Sequence, residues 1–508
     1  MKKLLIILTL TLLTSVWLSA DWEQAYKALA DDGVAGDNFG VSVSISGDYA
    51  IVGAHDDDDN ADNSGSAYIF HRSGTVWSQQ AKLTAADGDA MDSFGYSVSI
   101  SGDYAVVGAF GDDDNGNLSG SAYIFHRSET DWSQQAKLTA SDGATDDNFG
   151  YSVSISGEYA IIGAFFNEAN GVRSGSSYIF YRNETVWTQA GKLAPEDGNH
   201  GDNFGYSVSI SGDDAIAGAW GDDVNGDFSG SAYMFHRSGT VWTQQTQLTA
   251  ADGAAYDMFG HSVSISGDDA IVGAFGDEDN DVISGSSYVF HRIGTAWTQQ
   301  AKLTADDGAD EDLFGYSVSI SGDYAVVGAS CDDDNGNLSG SAYMFHRSGT
   351  VWSQQAKLTA DDGAIGDLFG HTVSISGDYA VVGAFHDDDN GDNSGSAYLF
   401  EYSDVAIDED TIPGIPAGTA LQAAFPNPFN PSTTVAYSLA EEATVRLSVY
   451  NLRGRRVQVL DKGLRSAGEH RVVWDGLDSQ GEPASSGVYL FRLETGGEVY
   501  LRKGILMK

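Results

Sequence analysis

The stretch from Phe94 to Phe125 reads FGYSVSISGDYAVVGAFGDDDNGNLSGSAYIF, and close copies of it recur along the chain every 55 residues. Seven Phe-Gly pairs mark this period, beginning at Phe39, Phe94, Phe149, Phe204, Phe259, Phe314 and Phe369. Constant spacing without insertions is typical of an array of one supersecondary unit. The fold therefore depends on what one unit forms and on how seven units pack.

Four segments of each unit have the patterns of β-strands. In the second unit, Tyr96 to Ser101 alternates apolar residues with serine, as a half-buried strand does. Tyr104 to Ala109 carries no charge, which is expected of a strand buried on both faces. Ala122 to Phe125 and the alternating segment Trp132 to Thr139 complete the unit. Seven four-stranded units predict an all-β fold, a seven-bladed β-propeller.

The two ends of the array distinguish a closed ring from an open solenoid. Trp22 to Ala25 resembles the fourth strand that begins at Trp77, yet it precedes the first complete unit. The last unit ends near Phe400 without a fourth strand of its own. We therefore expect the N-terminal strand to complete the seventh blade and close the ring.

The unit resembles the FG-GAP repeat, the blade of integrin-alpha-type propellers. The resemblance rests on Phe-Gly-x-Ser-Val, Val-Gly-Ala and Gly-Ser-Ala-Tyr-x-Phe, and it covers residues 21–402. Calcium-binding blades of that family carry Asp-x-Asp-x-Asp-Gly between their first two strands. Here this connection is only Ser101-Gly102-Asp103, so the calcium site of the family is not transferred to this chain.

The charge of the chain excludes some classes of partner. There are 73 acidic residues against 26 basic ones, a formal net charge of −47. This balance argues against a nucleic-acid-binding protein, which needs a basic surface. A hydrophobic content of 42% likewise argues against a wholly disordered acidic chain. Residues 21–403 hold 60 of the acids and 13 bases, so the repeats carry the imbalance.

The acidic residues of each unit cluster in two loops that a propeller places on the same rim. One loop precedes the first strand and the other joins the second strand to the third. Carboxylate oxygens suit calcium, so we predict calcium sites where these loops meet. The candidate ligands are Asp87, Asp92, Asp112 and Asp114 in the second unit, Asp307, Asp312, Asp332 and Asp334 in the sixth, and Asp362, Asp367, Asp387 and Asp389 in the seventh.

Two other interpretations of the acidic loops stay open. Asn115-Gly116 and its counterparts are ordinary turn formers, and the loop does not have the EF-hand register. The third unit has Asn167-Glu168-Ala169-Asn170 and would bind a cation poorly. The loops can therefore be solvated acidic turns, or the acidity can serve solubility or adaptation to salt.

The sequence contains no obvious catalytic constellation. Five histidines that are each followed by arginine recur at the 55-residue period, which favours a structural role over a catalytic one. His261 and His371 are less repeated and would lie near the channel mouth. Cys331 is the only cysteine, and the adjacent acids make it a poor nucleophile. We expect no enzymatic activity, and a hydrolase with its active site at the channel mouth is the alternative.

The composition changes at both ends of the repeats. Residues 1–20 have the charged, apolar and small-residue regions of a signal peptide, and no other stretch approaches the length of a membrane helix. Residues 403–424 are predicted to be a linker. Alternating segments from Val435 to Leu493 predict a small Ig-like β-sandwich in residues 425–508.

The C-terminal segment resembles the sorting domains of type IX secretion substrates. The motifs are FPNPFNP at 425–431, VYNLRG at 449–454, WDG at 474–476 and SGVY at 486–489. The resemblance implies an interaction with that secretion machinery and a secreted or outer-membrane surface location. Repeated rim loops favour multivalent recognition, so we expect a binding or adhesion protein whose ligand is an extracellular glycan, surface polymer or protein. A passive coat protein is a further alternative.

Overall fold

The computed structural model describes residues 21–403 apart from 170, 280 and 281, and residues 419–506 with gaps at 422–428, 430, 440–442, 452, 454, 467, 480, 482, 496 and 497. The predicted signal peptide and most of the predicted linker lie outside the described residues. The chain divides into two units between residues 404 and 405.

The first unit consists of seven four-stranded antiparallel sheets, which confirms the seven predicted blades. Blade 1 contains β2 (Ser42–Ser46), β3 (Tyr49–Ala54), β4 (Ser66–Ser73) and β5 (Val76–Leu83); blade 2 contains β6 (Ser97–Ser101), β7 (Tyr104–Ala109), β8 (Ser121–Ser128) and β9 (Asp131–Leu138). Blade 3 contains β10 (Ser152–Ser156), β11 (Tyr159–Ala164), β12 (Ser176–Asn183) and β13 (Val186–Leu193); blade 4 contains β14 (Val208–Ser211), β15 (Asp214–Ala219), β16 (Ser231–Ser238) and β17 (Val241–Leu248). Blade 5 contains β18 (Ser262–Ser266), β19 (Asp269–Ala274), β22 (Ser286–Ile293) and β23 (Ala296–Leu303), with the small hairpin β20 (Glu278–Asp279) and β21 (Val282–Ile283) inserted. Blade 6 contains β24 (Phe314–Ser321), β25 (Tyr324–Ala329), β26 (Ser341–Ser348) and β27 (Val351–Leu358); blade 7 contains β28 (Thr372–Ser376), β29 (Tyr379–Ala384), β30 (Ser396–Ser403) and β1 (Asp21–Ala28).

The N-terminal strand closes the ring, as the sequence predicts. β1 pairs antiparallel with β30, and Trp22 lies opposite Tyr402. The backbone amide of Asp361 also donates to Gln24 Oε1 at 3.1 Å. Because the first and last strands of the propeller share one sheet, unfolding of blade 7 must separate the two ends of the array.

The Phe-Gly and Val-Gly-Ala motifs have a steric reason. The ring of Phe94 is fully buried, and the chain turns at Gly95 with a φ of 94°. A Cβ at Gly95 would lie 2.1 Å from the carbonyl oxygen of Ser66, and one at Gly108 would lie 2.0 Å from that of Gly150. Real Cβ atoms do not approach so closely, so only glycine fits where neighbouring blades meet.

The first strands line the channel and connect neighbouring blades through serine. Ser97 Oγ donates to the carbonyl of Gly150 at 2.8 Å, and the amide of Ile155 donates to Ser99 Oγ at 3.2 Å. Val98 and Ile100 are buried on the opposite face of the same strand. The predicted alternation therefore separates a hydroxyl-lined channel from the apolar core between blades.

The second unit contains two antiparallel sheets. One sheet contains β31 (Ala420–Leu421), β32 (Thr433–Leu439) and β35 (Gly468–Trp474), and the other contains β34 (Arg456–Arg465), β33 (Ala443–Asn451), β36 (Gly487–Thr495) and β37 (Glu498–Leu506). Trp474 is fully buried in their common core. The segments predicted between Val435 and Leu493 correspond to β32 to β36. Two strands are additional: β37, and β31, which lies in the predicted linker and pairs with β32. No helix in the described part of the chain is long and apolar enough to cross a membrane.

Candidate functional site: the acidic rim

Two loops of each blade form the acidic rim. In blade 2, the entry loop (residues 84–96) precedes the first strand, and the acidic loop (residues 110–120) joins the second strand to the third. The structure brings these loops together at a lysine of the fourth strand. Lys137 Nζ lies 2.9 Å from Asp87, 2.7 Å from Asp112 and 2.6 Å from Asp114. Three of the predicted ligands of blade 2 therefore surround an ammonium group.

The other two predicted sites have the same arrangement. Lys357 contacts Asp307, Asp332 and Asp334 at 2.9, 2.8 and 2.6 Å. Lys27 contacts Asp362, Asp387 and Asp389 at 2.8, 2.9 and 2.6 Å. Lys27 belongs to β1, so this cluster joins the N-terminal strand to blade 7. Blade 1 repeats the arrangement around Lys82, which contacts Asp32, Asp57 and Asp59.

The remaining predicted ligands, Asp92, Asp312 and Asp367, fix the entry loops. Each is buried, and each accepts a hydrogen bond from a backbone amide three residues earlier, at 2.8, 2.6 and 2.6 Å. Burial raises the pKa of Asp92 and of Asp312 to about 6. These carboxyl groups hold the backbone of the loop and do not contact the lysine.

Lysine is the functional residue of the rim that sequence reasoning missed. Burial disfavours the charge of Lys137, but the hydrogen bonds to Asp112, Asp114 and Asp87 raise its pKa above the ordinary lysine value. Tyr123 also donates to Asp112, at 2.8 Å. The available signal was a lysine in the fourth strand of every blade except blade 4, which has Gln247.

Blade 4 differs in two positions. Gln247 replaces the lysine, and Val224 replaces the third carboxylate. Gln247 Nε2 donates to Asp222 at 3.1 Å and to Tyr233 at 3.0 Å. In blade 4 a neutral amide thus makes the contacts of the ammonium group, whereas blade 3 keeps Lys192 although Asn167 and Ala169 replace two of the acids.

The arrangement of the carboxylates does not fit a calcium ion while lysine lies between them. Among the described residues, no group of three or more His, Cys, Asp or Glu side chains has a geometry that would hold a metal ion. A calcium ion would have to take the place of the ammonium group. Calcium binding at these loops stays a prediction.

The channel opens on the same rim through a ring of seven side chains. Val41, Tyr96, Tyr151, Tyr206, His261, Tyr316 and His371 line a cavity of about 250 Å³. Burial lowers the pKa of His261 to about 4 and that of His371 to about 3, so both are neutral at pH 7. His261 Nδ1 lies 3.2 Å from the carbonyl of Tyr316, and its ring packs on the ring of Tyr316. His261 thus packs against the neighbouring Tyr316 in the ring of side chains.

The comparison with known families agrees with this geometry. Seven segments match the model described as FG-GAP repeat, at residues 22–70, 77–125, 132–180, 187–235, 242–290, 297–345 and 352–400. The chain belongs to the FG-GAP repeat family. Residues 430–498 match the model described as FlgD Ig-like domain. A search of curated proteins found no match.

The repeated His-Arg pair of the FG-GAP blades lies on the opposite rim and packs blade against blade. The guanidinium group of Arg127 lies 4.2 Å from the ring centroid of Tyr49 in the preceding blade. His126 packs on Tyr104 of its own blade, with centroids 4.6 Å apart. This arrangement agrees with the structural role predicted for the pair.

The FG-GAP repeats vary in both loops of the acidic rim, and the entry loops vary within a constant frame. Each loop reads Asp-Gly, three variable residues, Asp, one further residue and Phe-Gly. The seven triplets all differ: VAG at 34–36, DAM at 89–91, ATD at 144–146, NHG at 199–201, AAY at 254–256, ADE at 309–311 and AIG at 364–366. Every one of these residues is exposed or half-buried. The flanking aspartates and glycines keep the backbone constant while the side chains on the rim change.

Proposed function

We propose that this protein is an exported binding or adhesion protein whose propeller presents the acidic rim to an extracellular ligand. The observation that carries the proposal is the set of seven different triplets that the entry loops present within a constant frame of aspartates and glycines. Loops on a rigid scaffold are the usual place for binding residues. The ligand is a glycan, a surface polymer or a protein, because the strongly acidic surface repels nucleic acid and other polyanions.

The C-terminal unit supports export in this proposal. Its match to an Ig-like domain and its resemblance to type IX sorting domains support a role in passage through an outer membrane, followed by release or surface attachment. Deletion of residues 425–508 is expected to retain the propeller inside the cell of a host that has this machinery. Unchanged export of the truncated chain would contradict the sorting role.

An adhesion assay tests the binding function. Beads coated with the full chain are applied to mucin, to chitin particles and to collagen. A rim variant carries Ala-Ala-Gly in place of all seven triplets. A control variant carries serine at four exposed hairpin positions of the opposite rim, Val76, Val186, Val241 and Val351. We expect adhesion to at least one surface, lost in the rim variant and kept in the control.

Two outcomes of this assay would contradict the proposal. Loss of adhesion only in the control variant would move the ligand to the opposite rim. No adhesion, together with self-assembly of the chain into sheets or fibres, would favour a passive coat protein. Turnover of chromogenic glycosides or peptides that disappears in His261→Phe would instead favour the hydrolase.

Calcium dependence is a separate proposal about the same rim, and it is supported by the convergence of carboxylates in blades 2, 6 and 7. Thermal unfolding of the full chain is measured with calcium, and with magnesium at matched ionic strength. A ligand that binds only the folded state raises stability by RT ln(1 + [L]/Kd), about 2.7 kcal/mol at roughly 100 times Kd. An equal response to both cations indicates screening alone.

A further inference from the structure

Several clefts open between neighbouring blades on the acidic rim, and one of them has a distinct lining. It lies between the acidic loops of blades 3 and 4 and has a volume of about 450 Å³, within the range of small-molecule sites. Its lining includes Phe166, Arg173, Asn203, Trp220 and Phe228. An apolar floor with a few polar groups is the composition expected of a ligand site.

Gly201 ends the variable triplet of the entry loop of blade 4 and lines the cleft without filling it. The equivalent residue is glycine in blades 1 and 7 and larger in the other blades: Gly36, Met91, Asp146, Tyr256, Glu311 and Gly366. A Cβ at Gly201 would meet no atom within 4 Å, so the space above it is open. Met91, at a φ of 69°, establishes that the same loop position accepts a side chain.

Aromatic rings form the floor and continue toward blade 5. The rings of Trp220 and Phe228 stack with centroids 5.9 Å apart and an interplanar angle of 21°. Phe228 stacks on Tyr256 at 6.0 Å and 29°. Phe228 is 40% exposed and Tyr256 is 53% exposed. The rings thus present apolar faces to solvent within an otherwise highly polar rim.

Polar groups surround this floor, and two of them, Arg173 and Asp223, are exposed. Asn203 is 7% exposed, and its Oδ1 is buried without a hydrogen-bond partner among the described residues, as at Asn38 and Asn148. Its Nδ2 donates to the carbonyl of Gly201 at 2.9 Å. The guanidinium group of Arg173 lies over the ring of Phe166, 4.4 Å from its centroid, and is exposed. Asp223 adds a carboxylate acceptor to the lining.

This combination selects one chemical class of ligand. Flat aromatic faces suit the C–H face of a sugar ring, and Arg173 and Asp223 supply the donors and the acceptors that hydroxyl groups need. Arg173 disfavours a cationic ligand in the cleft, and the acidic rim around it disfavours a polyanion. We propose that the cleft binds a neutral sugar unit of a glycan, one per chain. This inference rests on the proposed binding function.

Two variants with matched controls test the site. Gly201→Met fills the cleft with the residue that blade 2 carries, and Gly366→Met makes the same change in blade 7. Phe228→Leu removes the ring but introduces the residue found at 118 and 338, and Leu338→Ala is its control. The probes are chitohexaose, cellohexaose, maltohexaose and laminarihexaose, with hexagalacturonate and choline as charged probes. Saturation-transfer NMR detects binding to the full chain, and calorimetry measures affinity and stoichiometry.

We expect at least one neutral hexasaccharide to bind with a stoichiometry of one. Gly201→Met and Phe228→Leu should each weaken it about 10-fold or more, and the controls about 2-fold or less. Equal effects in variants and controls, several equivalent sites per chain, or preference for a charged probe would overturn the inference. So would the absence of binding by all four neutral sugars. If bead adhesion then still depends on the triplets, the binding function stands without this site; if adhesion is also absent, both fail.

Discussion

Replacing Lys137 with methionine is expected to destabilise the propeller by about 4 kcal/mol. The ammonium group contacts Asp112, whose side chain is 4% exposed, and the more exposed Asp87 and Asp114. Removing one partner of a buried ion pair costs about 3–5 kcal/mol. For the loss of the ion pair with Asp112 we use the lower end of this range, about 3 kcal/mol, because the hydroxyl of Tyr123 still donates to Asp112 in the variant. The two exposed pairs add about 0.5 kcal/mol each.

This loss should lower the melting temperature by about 5 °C. An unfolding entropy of about 2.1 cal/mol/K per residue gives roughly 0.8 kcal/mol/K for a cooperative unit of this size. Differential scanning calorimetry of the full chain, supported by urea denaturation, measures both quantities. The double variant Lys137→Gln with Asp114→Val copies the pair found in blade 4, and it should recover about half of the loss.

A decrease of less than about 1 °C in Lys137→Met would refute the view that the ammonium group holds the acidic loops together. A double variant no more stable than the single one would refute the coupling between the two positions. Calcium provides a further comparison, because Lys137→Met leaves the three carboxylates without a cation. Calcium is expected to stabilise this variant more than the parent chain, and equal stabilisation would place calcium elsewhere.

Two further predictions concern pH and ring closure. Burial raises the pKa of five entry-loop carboxyl groups to about 6: Asp37, Asp92, Asp202, Asp257 and Asp312. Their contribution to stability is therefore full below about pH 4 and is lost as the pH rises through about 6. The pKa of Asp87 and that of Asp307 are lowered, because hydrogen bonds from lysine outweigh the opposing effect of burial. The contribution of these two carboxylates to stability is therefore lost as the pH falls below about 4. His261 and His371 oppose the first effect below about pH 6.5, because burial lowers their pKa in the folded chain. The assignment is therefore tested with Asp92→Asn, which should lower the melting temperature more at pH 5 than at pH 8, whereas an equal loss at both values would contradict it. Deletion of residues 21–28 should leave β30 as an open edge and produce oligomers in size-exclusion chromatography, which the peptide DWEQAYKA should reverse; a monomer that melts like the parent chain would argue against closure by β1.

The sequence predicted the propeller well because its determinants are local and repeated. The alternation from Tyr96 to Ser101 and the uncharged segment from Tyr104 to Ala109 correspond to β6 and β7. The segment at Trp22 resembles a fourth strand but precedes the first complete unit, and this position in the sequence predicted the closure of the ring. In the C-terminal unit, β37 was missed because the interpretation stopped at Leu493.

The lysine clusters could not be found in the same way, because their members are distant in sequence. Lys137 lies 50 residues after Asp87 and 23 residues after Asp114. In the alternation of the fourth strand, a lysine is indistinguishable from an ordinary solvated base. The useful signal was the recurrence of a lysine at the same position of the fourth strand in six of the seven blades.

The internal cation explains how the entry loops can vary. In blade 2, Lys137 neutralises part of the charge of the acidic loop, and Asp92 fixes the entry loop through the amide of Asp89. Neither interaction uses a side chain of the variable triplet, so these side chains can change while the interactions are kept. A change from Met91 to its counterpart Gly201 then opens space on the rim without altering the backbone that surrounds it. Because the lining of each cleft can change separately, a ring of nearly identical repeats can carry a single specific site.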